Sequence, residues 1–237
     1  METDLFNPWL SFSLVLLVIW AVIWLLKPAV RKEMLWVSIL TAPLGLTEPL
    51  FVPEYWSPPS LFNLAATTGF DIESLIFSFA VGGIGAVLYE TLVKVRHSRM
   101  DLHERSSRRH RFHELALAAP LIVFIPLHLF TALNPIYSAS IAMSAGAIAA
   151  VLCRPDLTKK IIGGSLLFLG LYFLFFLSFN LVYPGIVERV WNLRAISGIL
   201  ILGIPAEELL FALTFGGMWS SLYEHFKWYK IEGGRHV

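Results

Sequence analysis

Apolar residues run along this chain in long blocks, and seven such blocks can be drawn: roughly 8–26, 34–52, 71–95, 114–133, 137–153, 161–183 and 197–226. Each approaches the roughly 18–25 residues that carry an α-helix across about 30 Å of hydrocarbon. The pattern predicts an all-α integral membrane protein of about seven transmembrane helices. Cations mark alternate connections. Lys27, Arg31 and Lys32 follow the first block; Lys94, Arg96, Arg99, Arg105, Arg108, Arg109 and Arg111 follow the third. Arg154, Lys159 and Lys160 follow the fifth, and Lys227, Lys230 and Arg235 follow the seventh, which leaves only Arg189 and Arg194 for the opposite side. Because cytoplasmic loops retain Lys and Arg, seven spans place the N-terminus outside, the C-terminus in the cytoplasm and the chain in the plasma membrane.

Composition agrees with that picture: 57% of residues are hydrophobic, 15% are charged and the net charge is +1. No nucleic-acid partner is expected, and the basic stretch from Lys94 to Arg111 reads as a topology determinant beside anionic lipids. The single cysteine, Cys153, excludes an internal disulfide and argues against a cysteine-based metal cluster. The opening METDLFNPW is acidic and is followed by no small-residue cleavage site, so a cleaved signal peptide is not expected.

One segment is written twice. Asp71 to Glu90 reads DIESLIFSFAVGGIGAVLYE and Pro205 to Glu224 reads PAEELLFALTFGGMWSSLYE. At this constant offset Glu73 matches Glu207, Phe77 matches Phe211, Gly82-Gly83 match Gly216-Gly217, and Tyr89-Glu90 match Tyr223-Glu224. The chain therefore divides into a first repeat of three helices (1–95), a basic loop with a connecting helix (96–136) and a second repeat of three helices (137–237). A single crossing between odd-membered repeats makes them parallel, related by an axis near the membrane normal. The loops before the two copies correspond with a local length difference of five residues: the first carries Tyr55, Trp56, Phe62 and Asn63, the second Trp191 and Asn192.

Both copies put carboxylates ahead of an apolar helix. Capping and the helix macrodipole favour acids in a first turn, which accounts for Asp71. Glu207 and Glu208 follow nine apolar or small residues, Ser197 to Pro205. A span beginning at Ser197 buries the pair on the order of 13 Å below the surface at 1.5 Å per residue. Carboxylates at such depth cost at least about 2.5 kcal/mol and point to function. Pro205 kinks that helix or starts a fresh one. Adjacent glutamates point about 100° apart, so one can face a cavity while the other orients it or shares its proton. Glu207, Glu208 and Glu73 are the catalytic candidates.

Aromatic faces lie beneath them. Phe215 and Trp219 follow Glu208 at i+7 and i+11, Phe211 follows Glu207 at i+4, and Phe77 follows Glu73 at the same spacing. Desolvated aromatic faces stabilise cations by about 0.5–2 kcal/mol each, although helix packing also uses such residues. With Glu48, Tyr55 and Trp56 they form the candidate substrate-binding set. The paired glycines read as close helix approaches between the halves. Tyr89-Glu90 and Tyr223-Glu224, some 25 Å from the outer acids by helix rise, read as structural termini. His128, Asn63, Asn134, Asn180 and Asn192 read as interhelical hydrogen-bonding groups.

At these residues the chain resembles the lycopene cyclase domain family, whose two homologous halves carry a Pro-x-Glu-Glu/Asp motif ahead of a Leu-Phe-rich helix. PAEELLF, Pro205 to Phe211, matches directly, and EPLFVPEYWSPPSLF, Glu48 to Phe62, is similar to the segment before the first motif. The resemblance implies redox-neutral cyclisation of an acyclic carotenoid end: an acid protonates the terminal double bond, a neighbouring double bond closes the ring, and a base removes a proton. It carries the acid role to Glu207 and Glu208. The first half departs from the motif, reading DIES, so Glu73 remains while Asp71 and Ser74 replace the proline and second acid. The implied partners are a lipophilic isoprenoid substrate and membrane lipids, with a homo-oligomer or other carotenoid-pathway enzymes beside them.

No cofactor or metal is expected from the sequence. There is no GxGxxG between a strand and a helix, no Asp-rich diphosphate motif and no convincing metal-ligand spacing. Two rival readings stand. A proton-coupled transporter or lipid-binding protein is compatible with the duplicated bundle. A glutamate-type intramembrane protease needs an arginine four residues after the second glutamate, where this chain has Ala212.

Overall fold

Asn7-Pro8 and Asn134-Pro135 open two equivalent helices, α1 (Pro8–Leu26) and, later in the chain, α5 (Pro135–Cys153). In each the asparagine side chain accepts from a backbone N–H, that of Trp9 or Ile136, while the proline takes a first-turn position where its missing N–H costs nothing. The computed structural model describes residues 7–233; the acidic segment 1–6 and Arg235 lie outside them. Short 3₁₀ turns at Pro28–Val30 and Pro155–Leu157 lead into α2 (Arg31–Thr41) and α6 (Thr158–Val182). These pairs are related by an offset of 127 residues, whereas α3 (Ile72–Leu92) and α7 (Ala206–Trp219) keep 134. The connecting helix α4 (His113–Phe130) packs on α5 at the periphery.

Five helices have the length and apolarity to cross a membrane: Pro8–Leu26, Ile72–Leu92, Arg108–Phe130, Pro135–Cys153 and Pro155–Val182. The second and seventh apolar blocks depart from the expected continuous spans. After Thr41 the chain tightens into a 3₁₀ stretch, Ala42–Leu50, because Pro43 and Pro49 withhold the N–H groups an α-helix needs. In the seventh block Gly198, Leu202 and Gly203 take positive φ and fold residues before Pro205 into a small hairpin, β2 (Leu200–Ile201) on β3 (Ile204–Pro205). Helix α7 starts only at Ala206, ends at Trp219 and is followed by α8 (Leu222–Lys227). Glu207 and Glu208 thus occupy a first turn under a hairpin. The depth implied by a continuous helix from Ser197 does not apply.

The paired glycines act within each half, not between the halves. A Cβ at Gly82 or Gly83 would collide with Thr41 or with Ser38 and Trp20 of α2 and α1; one at Gly216 would collide with Phe168 of α6. The close approach between halves is made by Gly85, which faces Phe215 and Trp219. Helix α3 occupies the centre, with its lower half buried from Ala80 to Leu88. At the outer end the two long loops pair: Ser57 N–H donates to Val190 O at 2.8 Å and Asn192 N–H to Tyr55 O at 2.9 Å, bringing Trp56 against Trp191.

At the basic end, Glu90 and Glu224 are more than helix termini. Lys160, buried from solvent, donates to Glu33 at 2.9 Å, Glu90 at 2.6 Å and Glu224 at 2.5 Å. By the two offsets Glu33 is the counterpart of Lys160, and Glu90 of Glu224. The equivalent positions 33 and 160 therefore meet as opposite charges, and the equivalent Glu90 and Glu224 share the same ammonium. His97 adds contacts to Glu224 at 2.7 Å and Glu90 at 3.2 Å. It stands on β1 (Val95–Arg99), which pairs antiparallel with β4 (Tyr229–Gly233).

Burial pushes the His97 imidazole down, but its hydrogen bonds to the accepting Glu224 and Glu90 carboxylates outweigh it and raise its pKa to about 10. Because the folded value lies above the ordinary histidine value, the protonated ring stabilises docking of the β1–β4 sheet fully below about pH 6.5, and this contribution is lost as pH rises through about 10. His97→Gln is expected to raise hydrogen exchange of the β1 and β4 amides at neutral pH. The difference from wild type should vanish above pH 10; a difference that persists there contradicts the ion pairing.

Candidate active site

Between the halves lies a cavity of about 440 Å³. Its walls include Glu48, Tyr55, Trp56, Phe77, Glu208, Phe211, Phe215 and Trp219, and also Trp9, Phe12, Tyr172 and Trp191. One side opens between the 3₁₀ stretch at Leu44, Thr47 and Leu50 and the proline-bearing face of α4 at Pro120, Leu121 and Ile125. Leu44, Leu121 and Ile125 are exposed on the apolar flank of the molecule.

Glu208 is the most fully hydrogen-bonded carboxyl group of this cavity. Its Oε1 accepts from Tyr55 Oη at 2.5 Å and from Trp191 Nε1 at 2.8 Å, while Oε2 accepts from Tyr172 Oη at 2.8 Å. The donors come from both outer loops and from α6. Three convergent donors hold the side chain in one orientation and stabilise negative charge left on it when a proton departs. Tyr172 and Trp191 were not among the candidates from sequence. Tyr172 lies in the run LYFLFF, where no periodicity separates a hydrogen-bonding tyrosine from packing.

Glu207 and Glu73 turn away from the cavity. Glu207 Oε1 accepts from Tyr137 Oη at 2.5 Å and from Ser197 N–H at 2.9 Å, which ties α7 to α5 and to the loop before the hairpin. Glu73 Oε1 accepts from Asn7 Nδ2 at 2.7 Å and from Leu61 N–H at 2.6 Å, tying α3 to the start of α1 and to the first outer loop. Equivalent glutamates thus perform equivalent anchoring. The next position decides the difference: Ser74 stands where Glu208 does, and Gly45 stands, by the 127 offset, where Tyr172 does. A Cβ at Gly45 would strike the backbone of Ser74 and Leu75. In the first half the acid and its donor are both replaced, and the backbones close over the space.

Aromatic rings descend from Glu208. Phe211 and Phe215 have centroids 5.3 Å apart, and Phe215 and Trp219 stack at 4.2 Å. Trp219 Nε1 is held by Thr41 Oγ1 at 2.8 Å, so its ring face is fixed. On the facing wall Trp9 lies 5.1 Å from Phe77 and Phe12 lies 6.0 Å from Phe77. Such a lining accepts an apolar ligand and lowers the energy of a cation formed within it.

The second cavity carboxylate is Glu48. It is 8% exposed, and its Oε1 has no hydrogen-bond partner among the described residues. Its neighbours are Asp71, Ser74, Trp56 and Glu208. Glu48 also lines a separate outer cavity of about 890 Å³ bounded by Ser57, Ser60, Asn63, Asp71 and Arg189. One carboxylate thereby borders both the aromatic chamber and the outer cavity. Glu48 and Glu208 are the only carboxylates of the inner cavity among the described residues, and neither Cys nor His lines it.

A family model described as Lycopene cyclase matches residues 7–92 and 134–226. The two matched segments coincide with α1–α3 and α5–α8 and begin at the two capping asparagines. Comparison with curated proteins and with solved structures gave no significant match. The family match covers most of the chain and, with the apolar helices, marks a membrane protein of carotenoid-cyclase type: the chain belongs to the lycopene cyclase family.

Proposed function

We propose that this protein closes a ring on the acyclic end of a carotenoid, without redox change, inside the cavity between its halves. The observation that carries the reading is Glu208, a single carboxyl group with three fixed donors, aimed into an aromatic chamber. Glu208 gives its proton to the terminal double bond; the neighbouring π bond attacks the cation, and loss of one C–H proton restores a double bond. Tyr55, Tyr172 and Trp191 stabilise the carboxylate as it forms. Phe77, Phe211, Phe215 and Trp219 present π-faces to the cation and exclude water that would quench it.

Glu48 takes the departing proton. It lies in the same chamber, has a free oxygen, and borders the outer vestibule through which the proton can leave. The volume suits one end group, so the remaining polyene extends through the opening between α4 and the 3₁₀ stretch into lipid. In the membrane the 3₁₀ stretch completes the crossing begun by α2, and the hairpin completes that of α7, giving seven spans in two parallel repeats. The basic end faces the cytoplasm, and the membrane is the plasma membrane.

Expression in a bacterium that accumulates lycopene, with pigments resolved by chromatography, should yield monocyclic or bicyclic products. Unchanged lycopene, together with unchanged acyclic relatives of other length, contradicts the reading; proton-coupled uptake into vesicles would then favour transport. Glu48→Gln should lower the rate of ring formation by about 10²-fold or more, the usual contribution of a positioned base. A variant with wild-type rate and ring type removes Glu48 from the reaction.

A further inference from the structure

Cys153, alone in the sequence, is not alone in the structure. It ends α5 beside His110, from the 3₁₀ turn Arg108–Phe112, and His113, the first residue of α4. The Nδ1 atoms of both histidines lie 3.6 Å from Cys153 Sγ, and the three atoms fall within 4.8 Å of one another. We propose that these three residues bind a zinc-class divalent metal ion at the basic end of the protein.

The distances fit. With Zn–S about 2.3 Å and Zn–N about 2.0–2.1 Å, a tetrahedral angle separates the sulfur and nitrogen ligands by about 3.5–3.6 Å. A thiol proton satisfies one of two equal contacts, whereas a metal ion serves both. Thiolate with imidazoles and no carboxylate selects a borderline-soft ion over magnesium or calcium. Cys153 and His113 are buried, so little solvent competes.

A separate observation points the same way. His225 is 2% exposed, its ring centre lies 4.6 Å from that of His113, and its Nε2 has no hydrogen-bond partner among the described residues. Its ring nitrogens stand outside the three-ligand cluster, so a side-chain rotation brings this imidazole to the fourth position. Trp228 stacks on His113 with centroids 3.7 Å apart and fixes the ring plane. The nearest cation, Arg154, is engaged by Asp156 at 2.9 and 2.7 Å and by the Tyr229 carbonyl at 2.5 Å, which offsets its charge. The other ligand-rich cluster at this end, Glu33, Glu90, His97 and Glu224, already holds the Lys160 ammonium.

The site is distinct from the cyclisation chamber. His110 and His113 lie in the connecting segment outside the two family-matched stretches, while Cys153 lies inside the second. The metal would therefore staple the basic loop and the start of α4 to the end of α5. It is a structural site and takes no part in ring closure.

The full chain, purified in detergent without chelator or imidazole from zinc-supplemented cells, should carry about one zinc per chain by elemental analysis. After metal removal, titration with Co²⁺ alone should give thiolate-to-cobalt charge-transfer absorption and tetrahedral ligand-field bands. Cys153→Ser should lose the charge-transfer absorption, and His113→Asn should weaken binding at least tenfold. Since a cluster variant can fail to fold, the wild-type readouts stand on their own. Absence of both zinc and cobalt bands in folded wild type overturns the proposal, as does a charge-transfer band that persists in Cys153→Ser.

Discussion

Glu208→Gln should abolish ring closure. An amide of the same shape still accepts from Tyr55 and Trp191 but has no proton to give, so the chamber keeps its form and loses its acid. General acid catalysis by a positioned group is worth about 10²–10⁴-fold. The other carboxyl group of the cavity, Glu48, lacks the three donors that stabilise charge left on Glu208, so the upper end of that range is expected. The measurement is product formed per unit of protein in the lycopene-accumulating host, with protein level followed separately. Substrate should accumulate unchanged while detergent-extracted protein remains folded. Tyr172→Phe, which removes one donor to Oε2, should give a smaller loss of the same kind.

Lys160→Met should have the largest effect on stability. The ammonium is the common partner of three buried carboxylates from α2, α3 and α8, two of them in the first half and one in the second. Removing one partner of a buried ion cluster costs about 3–5 kcal/mol, because the remaining charge is left without compensation. That is a large share of the roughly 5–15 kcal/mol available to a folded domain. Thermal unfolding in detergent should show a marked drop, partly recovered in Lys160→Met combined with Glu224→Gln. An unchanged midpoint for Lys160→Met would mean that solvent, not Lys160, satisfies Glu33, Glu90 and Glu224.

The duplicated segment, the paired-glutamate motif and the aromatic row were legible because each is a local pattern. Glu208, Phe211, Phe215 and Trp219 share a helix, and helical spacing alone places them on neighbouring faces. What joins distant segments was not legible. Tyr55 reaches Glu208 across 153 positions, and no periodicity records that pairing. Lys160 counted in sequence as one more loop cation, although its 127-residue offset from Glu33 pairs opposite charges at equivalent positions. That offset was hidden because seven residues inserted before α7 shift the second motif to 134.

Local backbone chemistry overruled hydropathy in two places. Residues 34–52 and 197–226 are apolar enough to cross a membrane, yet Pro43, Pro49 and the glycines at 198 and 203 prevent continuous α-helix. The first interruption lines one side of the chamber at Leu44, Thr47 and Leu50, and the second lets α7 start afresh at Ala206, just ahead of Glu207 and Glu208. The glycine pairs show a similar limit: their spacing signals close approach, but only the fold tells which helix approaches. Likewise the split between Glu207 and Glu208 rests on one helical step of about 100°. It decides which of two adjacent carboxylates faces the chamber and which holds α5.

That split is the centre of the account, and paired substitution measures it directly. In one host and at matched protein level, Glu207→Gln should retain most of the cyclised pigment, since a glutamine oxygen still accepts from Tyr137 and Ser197. Glu208→Gln should retain none. The reverse order, or equal losses in the two folded variants, would contradict the assignment of the proton to Glu208.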